Sequence, residues 1–150
     1  MDGTVVLLLL SFNFKFTLAQ YTVVEEHLVA PKPTTLSFEE AASLPLALLT
    51  AQQAFDIAKF EKGQSVFIVG GAGGVGSLAI QLAKHVYGAS RIVSTASTGK
   101  IDFVKSLGAD LVIDYTKQSY YQVSEKFDFV FDTIGQLLTS FASPDILMWM

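Results

Sequence analysis

Between Val66 and Asp132 short apolar runs alternate with segments whose apolar residues recur three and four positions apart. Val66 to Val69 is an unbroken β-branched and aromatic run, the pattern of a strand buried on both faces of a parallel sheet. From Ser77 the period changes: Leu78, Ala79, Leu82, Ala83 and Val86 make one apolar face, with Gln81, Lys84 and His85 turned away. That spacing predicts a helix, and Gly88 supplies its left-handed exit. Arg91 to Thr95 predicts the next strand, "KIDFVKSLGA" a helix ended at Gly108, and "DLVIDYT" a third strand. A polar, tyrosine-rich interval separates it from a fourth, "KFDFVFDTIG". Strand and helix in alternation predict an α/β fold built on a parallel, doubly wound sheet. About four strands are legible against the six of a complete doubly wound sheet, so the expected sheet is partial.

Upstream the texture differs. "AQYTVVEEHLVAP" reads as one extended segment, which would make His27 a strand residue, and two prolines close it. Ser37 followed by Glu40 forms a capping box that opens a helix, and a second helix is expected after Pro45, stopping near Gly63. The apolar run Val5 to Leu10 is far too short to span a bilayer and follows no basic start, so it reads as a strand-like segment or a leader. The closing "QLLTSFASPDILMWM" carries no β-α period.

Composition narrows the possibilities. A net charge of −4 without any Lys/Arg cluster argues against a nucleic-acid surface. The chain has no cysteine, which removes disulfides and thiolate metal sites. Its two histidines, His27 and His85, lack the spacing of a metal pair, and His85 reads as a solvated helix residue.

The chemistry concentrates in "GGAGGVG". Gly71, Gly73 and Gly76 fit G-x-G-x-x-G between a strand and a helix, and Gly70 allows a looser reading of the same motif. Such a turn lets a pyrophosphate approach the backbone, with the N–H groups of Gly74 and Val75 facing it at the helix's positive end. A purely structural turn would carry the same letters. After the second strand no acidic residue is available for a ribose hydroxyl before Asp102. Ser97, Thr98, the backbone of Gly99 and Lys100 instead offer donors and a positive charge suited to a 2′-phosphate, hence NADPH rather than NADH. The alternative is a polar loop capping the helix at Ile101. Asp128 and Asp132 could be paired carboxylates, but their alternation with Phe127, Phe129 and Phe131 favours solvated or loop-facing strand residues.

"LAQYTVVEEHLVAPKP", "EEAASLPLALLTA", "GGAGGVGSLAIQLAK", "SLGADLVIDYTK" and "FDFVFDTIG" are successive blocks, in order, that resemble the quinone oxidoreductase branch of the medium-chain dehydrogenase/reductase superfamily, and most closely its plant alkenal/one (enone) reductases. The resemblance runs from about Leu18 to Gly135 and implies zinc-independent transfer of hydride from NADPH to the β-carbon of an enone, or reduction of a quinone. It implies that Tyr115 reaches the 2′-phosphate and that Thr50 lies near the nicotinamide end. It assigns no catalytic residue here, since the cofactor carries the chemistry. Residues 1–16 match nothing in the family, 17–36 match a strand of its β-rich catalytic domain, 37–135 the dinucleotide-binding domain, and 136–150 diverge. The family's pattern extends beyond both ends, so the expectation is a fragment with impaired activity, or a non-catalytic nucleotide-binding or interaction module. Relatives imply a small-molecule enone or quinone substrate, a cytoplasmic or chloroplast setting and compatibility with a homo-oligomer, with neither nucleic acid nor membrane as partner.

Overall fold

A computed structural model describes residues 5–7, 23, 25–120 and 124–135. The chain divides into two units, Met1–Leu49 and Thr50–Met150. In the first, β1 (Val5–Leu7) pairs antiparallel with β2 (Val29–Pro31), Val5 opposite Pro31 and Leu7 opposite Val29. The first half of the apolar run Val5 to Leu10 is thus a strand, and Leu8 to Leu10 lie outside the described residues. His27 is not in a strand. Leu28 N–H bonds back to Glu25 O at 3.0 Å, curling Glu26–Leu28 into a 3-10 turn in which His27 is exposed, its Nδ1 3.4 Å from a Glu25 carboxylate oxygen.

The capping box forms as its spacing requires. Ser37 Oγ accepts from Glu40 N–H at 3.1 Å and Ser37 N–H donates to Glu40 Oε2 at 2.8 Å, opening α1 (Phe38–Ser43). Such a cap satisfies two N–H groups that the helix leaves unpaired, and removing its side chain typically costs ~1 kcal/mol. Next, α2 (Pro45–Ile57) places proline at the first helical position, where its missing N–H is harmless. It ends six residues short of Gly63, because Lys59 takes a left-handed φ of 51° and Phe60 N–H turns back to Phe55 O at 3.0 Å. That early exit puts Phe60 edge-on against Phe55, ring centres 5.2 Å apart, in an aromatic cluster with Tyr87 and Phe129.

Among the described residues the second unit has four parallel strands, β3 (Ser65–Val69), β4 (Arg91–Ala96), β5 (Leu111–Asp114) and β6 (Phe129–Asp132), in the order β5-β4-β3-β6. Central β3 sets Phe67 opposite both Val93 and Val130. One face of the sheet, with Val66, Ile68, Ile92, Val112 and Phe129, packs against α2, α3 (Gly74–His85) and α4 (Ile101–Ser106). The other face gathers Phe67, Val69, Val93, Ile113 and Val130 with Tyr120.

α3 begins at Gly74, three residues before Ser77, and its buried stripe is Gly76, Ala79, Ile80 and Ala83. Val86, expected on that face, is 69% exposed, because it sits past the last helical residue where the chain leaves the 3.6-residue period. Gly88 does supply the exit, with φ 65°, as Gly108 does after α4, with φ 117°.

Candidate cofactor-binding site

Four parallel strands bring four loops to one edge of the sheet, at their carboxyl ends. The turn from β3 to α3 is shaped by close approach as well as backbone freedom. Gly70 has φ 84°, a conformation side chains resist, and its N–H donates to Thr95 Oγ1 at 2.9 Å. Gly71 N–H donates to Thr95 O at 3.0 Å, and a Cβ on Gly71 would stand 2.1 Å from Ser94 Oγ. Ser94 cannot move away cheaply, being fully buried with its hydroxyl donating to Ile68 O at 2.6 Å. A Cβ on Gly76 would lie 2.1 Å from Gly70 O, so the first turn of α3 rests directly on the backbone of the loop.

Gly73 differs. Its φ is an ordinary −78°, it is exposed, and a Cβ there would meet nothing closer than Gly70 O at 3.3 Å. Packing therefore accounts for Gly70, Gly71 and Gly76 and leaves Gly73 without a comparable internal reason. As N-cap of α3, Gly73 has no side chain to satisfy the helix's first donors. The N–H groups of Gly74 and Val75, in that first turn, have no acceptor within the helix and lie at its positive end.

From the other side Thr133, just after β6, donates its hydroxyl to Val69 O at 2.7 Å. Thr95 and Thr133 thus brace the end of β3 from both neighbouring strands. Sequence reasoning missed both. The available signal was a pair of polar residues, Ser94 and Thr95, inside an otherwise apolar strand.

A second cluster follows β4 and β5, brought together because Ala96 lies opposite Asp114 in the sheet. Thr98–Lys100 is a 3-10 turn, closed by Lys100 N–H to Ser97 O at 2.9 Å and leading into α4. The Ser97 side chain makes no capping bond, and neither does that of Lys100, the N-cap of α4. Gly99 and Lys100 are exposed at the crest, and a Cβ on Gly99 would meet open space. Tyr115 N–H bonds to Ala96 O at 3.2 Å, and its side chain is 53% exposed.

Thr98 does something else: its hydroxyl donates to Asp114 Oδ2 at 2.5 Å. Asp114 is 8% exposed and also accepts from the Thr116 hydroxyl at 2.6 Å and Thr116 N–H at 3.0 Å, with Lys117 Nζ 3.5 Å away. Those hydroxyl donors, Thr116 first and then Thr98, hold its carboxyl down at about 2, well below the usual carboxylate range. Sequence reasoning passed over this carboxylate, which sits one strand away from where an acid was sought.

Asp128 and Asp132 are not a pair. They occupy opposite ends of β6: Asp128 accepts from Ser65 N–H and Ser65 Oγ, each at 2.7 Å, while Asp132 accepts from Ile134 N–H at 2.8 Å and Gly135 N–H at 3.0 Å. Nor is Asp132 solvated. It is 3% exposed, because its carboxylate folds back to hold the turn after its own strand. Thr50 lies on the exposed side of α2. Among the described residues no group of three or more His, Cys, Asp or Glu side chains could hold a metal ion, and no helix is long and apolar enough to cross a membrane.

Residues 74–146 match the zinc-binding dehydrogenase family model. The chain is 59% identical over 120 residues to the 2-methylene-furan-3-one reductase of Solanum lycopersicum, covering 80% of this chain and 31% of that protein. It is 56% identical over 119 residues to the chloroplastic NADPH-dependent alkenal/one oxidoreductase of Arabidopsis thaliana, covering 79% and 31%. Its fold superposes on the quinone oxidoreductase of Coxiella burnetii with a TM-score of 0.68 at 43% identity, over 73% of this chain and 34% of that one. Over the residues aligned, the chain is homologous to quinone oxidoreductase-like medium-chain dehydrogenase/reductases. The quinone oxidoreductase of Thermus thermophilus, solved also in complex with NADPH, superposes with a TM-score of 0.65 at 30% identity over 73% of this chain and 37% of that one. The chain spans about a third of the length of these relatives, and its order of strands, glycine turn and helix is the portion of the superfamily fold that it carries.

Proposed function

We propose that this chain supplies the dinucleotide-binding unit of a zinc-independent, NADPH-dependent reductase acting on α,β-unsaturated carbonyls or quinones. The observation that carries the reading is the inequality among the turn glycines. Gly70 is demanded by its positive φ and Gly71 and Gly76 by close contacts, whereas Gly73 meets nothing nearer than 3.3 Å and flanks the N–H groups of Gly74 and Val75 at the start of α3. A pyrophosphate against that rim explains why no side chain stands there. Ser97, Gly99, Lys100 and Tyr115, grouped at the adjacent strand ends, suit a 2′-phosphate, and Thr98 enters that group through Asp114. Thr50 joins the site at the nicotinamide end by resemblance to the family.

Bound there, the cofactor would supply the hydride, and the chain's residues would hold and orient it. The names of the Solanum and Arabidopsis relatives support an enone as substrate, those of the Coxiella and Thermus proteins a quinone. Zinc independence goes with a chain that has no cysteine, and the chloroplastic Arabidopsis relative supports a chloroplast as one setting beside the cytoplasm. The test is calorimetric titration of the chain with NADPH, beside Gly73→Val. The backbone at Gly73 accepts a side chain, so the variant is expected to keep its melting temperature and lose at least ~tenfold in affinity. Equal affinities would remove the pyrophosphate from this turn.

A further inference from the structure

We propose that Thr98 and Asp114 form a latch that fixes the Ser97–Lys100 loop in the position from which it selects NADPH over NADH, making Asp114 a positioning residue for cofactor specificity. The inference rests on the cofactor reading above and goes beyond it, because there the loop's own donors carry the selection. Asp114 ends β5 and Thr98 opens the turn after β4. Their 2.5 Å hydrogen bond, with the 3.1 Å contact between the Thr98 and Thr116 hydroxyls, ties one loop to the next.

Two features favour a positioning role over direct contact. Thr98's proton is spent on the carboxylate, so Thr98 does not double as a donor to a phosphate while the latch is closed. The carboxylate is 8% exposed and faces the Thr98 and Thr116 hydroxyls, Thr116 N–H and Lys117, an arrangement that orders both loops. A carboxylate left open beside a 2′-phosphate would repel it. Enclosed by donors, it fixes the turn that carries Lys100 and the strand end that Tyr115 follows.

Charge and geometry here predict opposite signs. If Asp114 acts on the phosphate merely through its field, Asp114→Ala tightens NADPH, since a like charge is removed and Thr98's hydroxyl is released to donate. If it is a latch, Asp114→Ala weakens NADPH while leaving NADH nearly unchanged.

The experiment is calorimetric titration of the full 150-residue chain with NADPH and NADH, for the parent, Asp114→Ala, Thr98→Val and Thr98→Ser. The NADPH-to-NADH affinity ratio is expected to fall about tenfold in Asp114→Ala and Thr98→Val, the scale of one displaced charge-assisted contact, and to persist in Thr98→Ser, which keeps the hydroxyl. Thr98 lies on an exposed turn, so Thr98→Val keeps the proposal testable if Asp114→Ala does not fold. Tighter NADPH binding by Asp114→Ala, or an unchanged ratio in Thr98→Val, overturns the latch. So does an equal loss of both cofactors, the mark of a structural defect alone. A parent chain that binds both cofactors equally overturns the assignment of the 2′-phosphate loop, and the latch with it; one that binds neither overturns the cofactor reading as a whole.

Discussion

Replacing Gly76 by alanine isolates the contact on which the candidate site is built. The added Cβ would stand 2.1 Å from Gly70 O, 2.8 Å from Gly70 C and 3.0 Å from Gly71 Cα, all backbone atoms that no rotamer change can clear. Relief requires the turn and the helix to part by about an ångström, and overpacking of this kind costs ~1–3 kcal/mol, here toward the upper end because the neighbours are main chain. Alanine recovers at most ~1 kcal/mol of helix propensity over glycine, which leaves a net loss of about 2 kcal/mol. For a chain of this length that lowers the melting temperature by roughly 4–8 °C. Gly73→Ala is the control. Its Cβ meets Gly70 O at 3.3 Å, and the poorer N-cap, worth a few tenths to ~1 kcal/mol, is offset by the reduced freedom of the unfolded chain, so its expected change is near zero. Thermal denaturation by circular dichroism compares the two. If Gly76→Ala melts with the parent, or Gly73→Ala falls as far as Gly76→Ala, the close approach of helix to turn is not what these glycines serve.

Two other perturbations probe the same edge. Thr95→Val removes the acceptor of Gly70 N–H and should cost ~1–3 kcal/mol in urea denaturation, with Thr95→Ser recovering most of it; a loss that Thr95→Ser shares would place the effect in the methyl group instead. The Asp114 carboxyl is held at about 2 against an ordinary 3.8, so the folded chain takes up its proton less readily than the unfolded one. Its stabilisation is complete above the unfolded value and is lost as pH falls through the folded value, and Asp114→Asn should flatten the fall in melting temperature between about pH 4 and pH 2. Asp128, lowered by its bonds from Ser65, keeps a residual slope in the variant, so an acid limb identical to the parent's is the result that counts against Asp114.

Local pattern was enough for what local physics decides. Apolar runs and their periods placed β3 to β6 and the helices between them, because a buried parallel strand and an amphipathic helix each impose their own repeat on the chain. The capping box at Ser37 and the glycine exits at Gly88 and Gly108 depend on a few neighbouring residues and were legible for that reason. Family blocks in their order carried the resemblance and, with it, Thr50 and Tyr115 as candidates, while Ser97 to Lys100 were read from the residues themselves. Contacts across strands were not legible. Nothing in the spacing of Gly70, Gly71, Gly73 and Gly76 ranks them, since the ranking comes from Ser94 and Thr95 of β4 and from the packing of α3 on its own turn. Thr98 looked like a phosphate donor until β5, sixteen residues on, set Asp114 against it. Of the two readings that alternation left for Asp132, solvated or loop-facing, the packed sheet decided for the second, its side chain turning back onto the backbone of the following turn. The chain's repeats thus determine which elements form, while the sheet's order, by choosing which strand ends become neighbours, decides which side chains share a site.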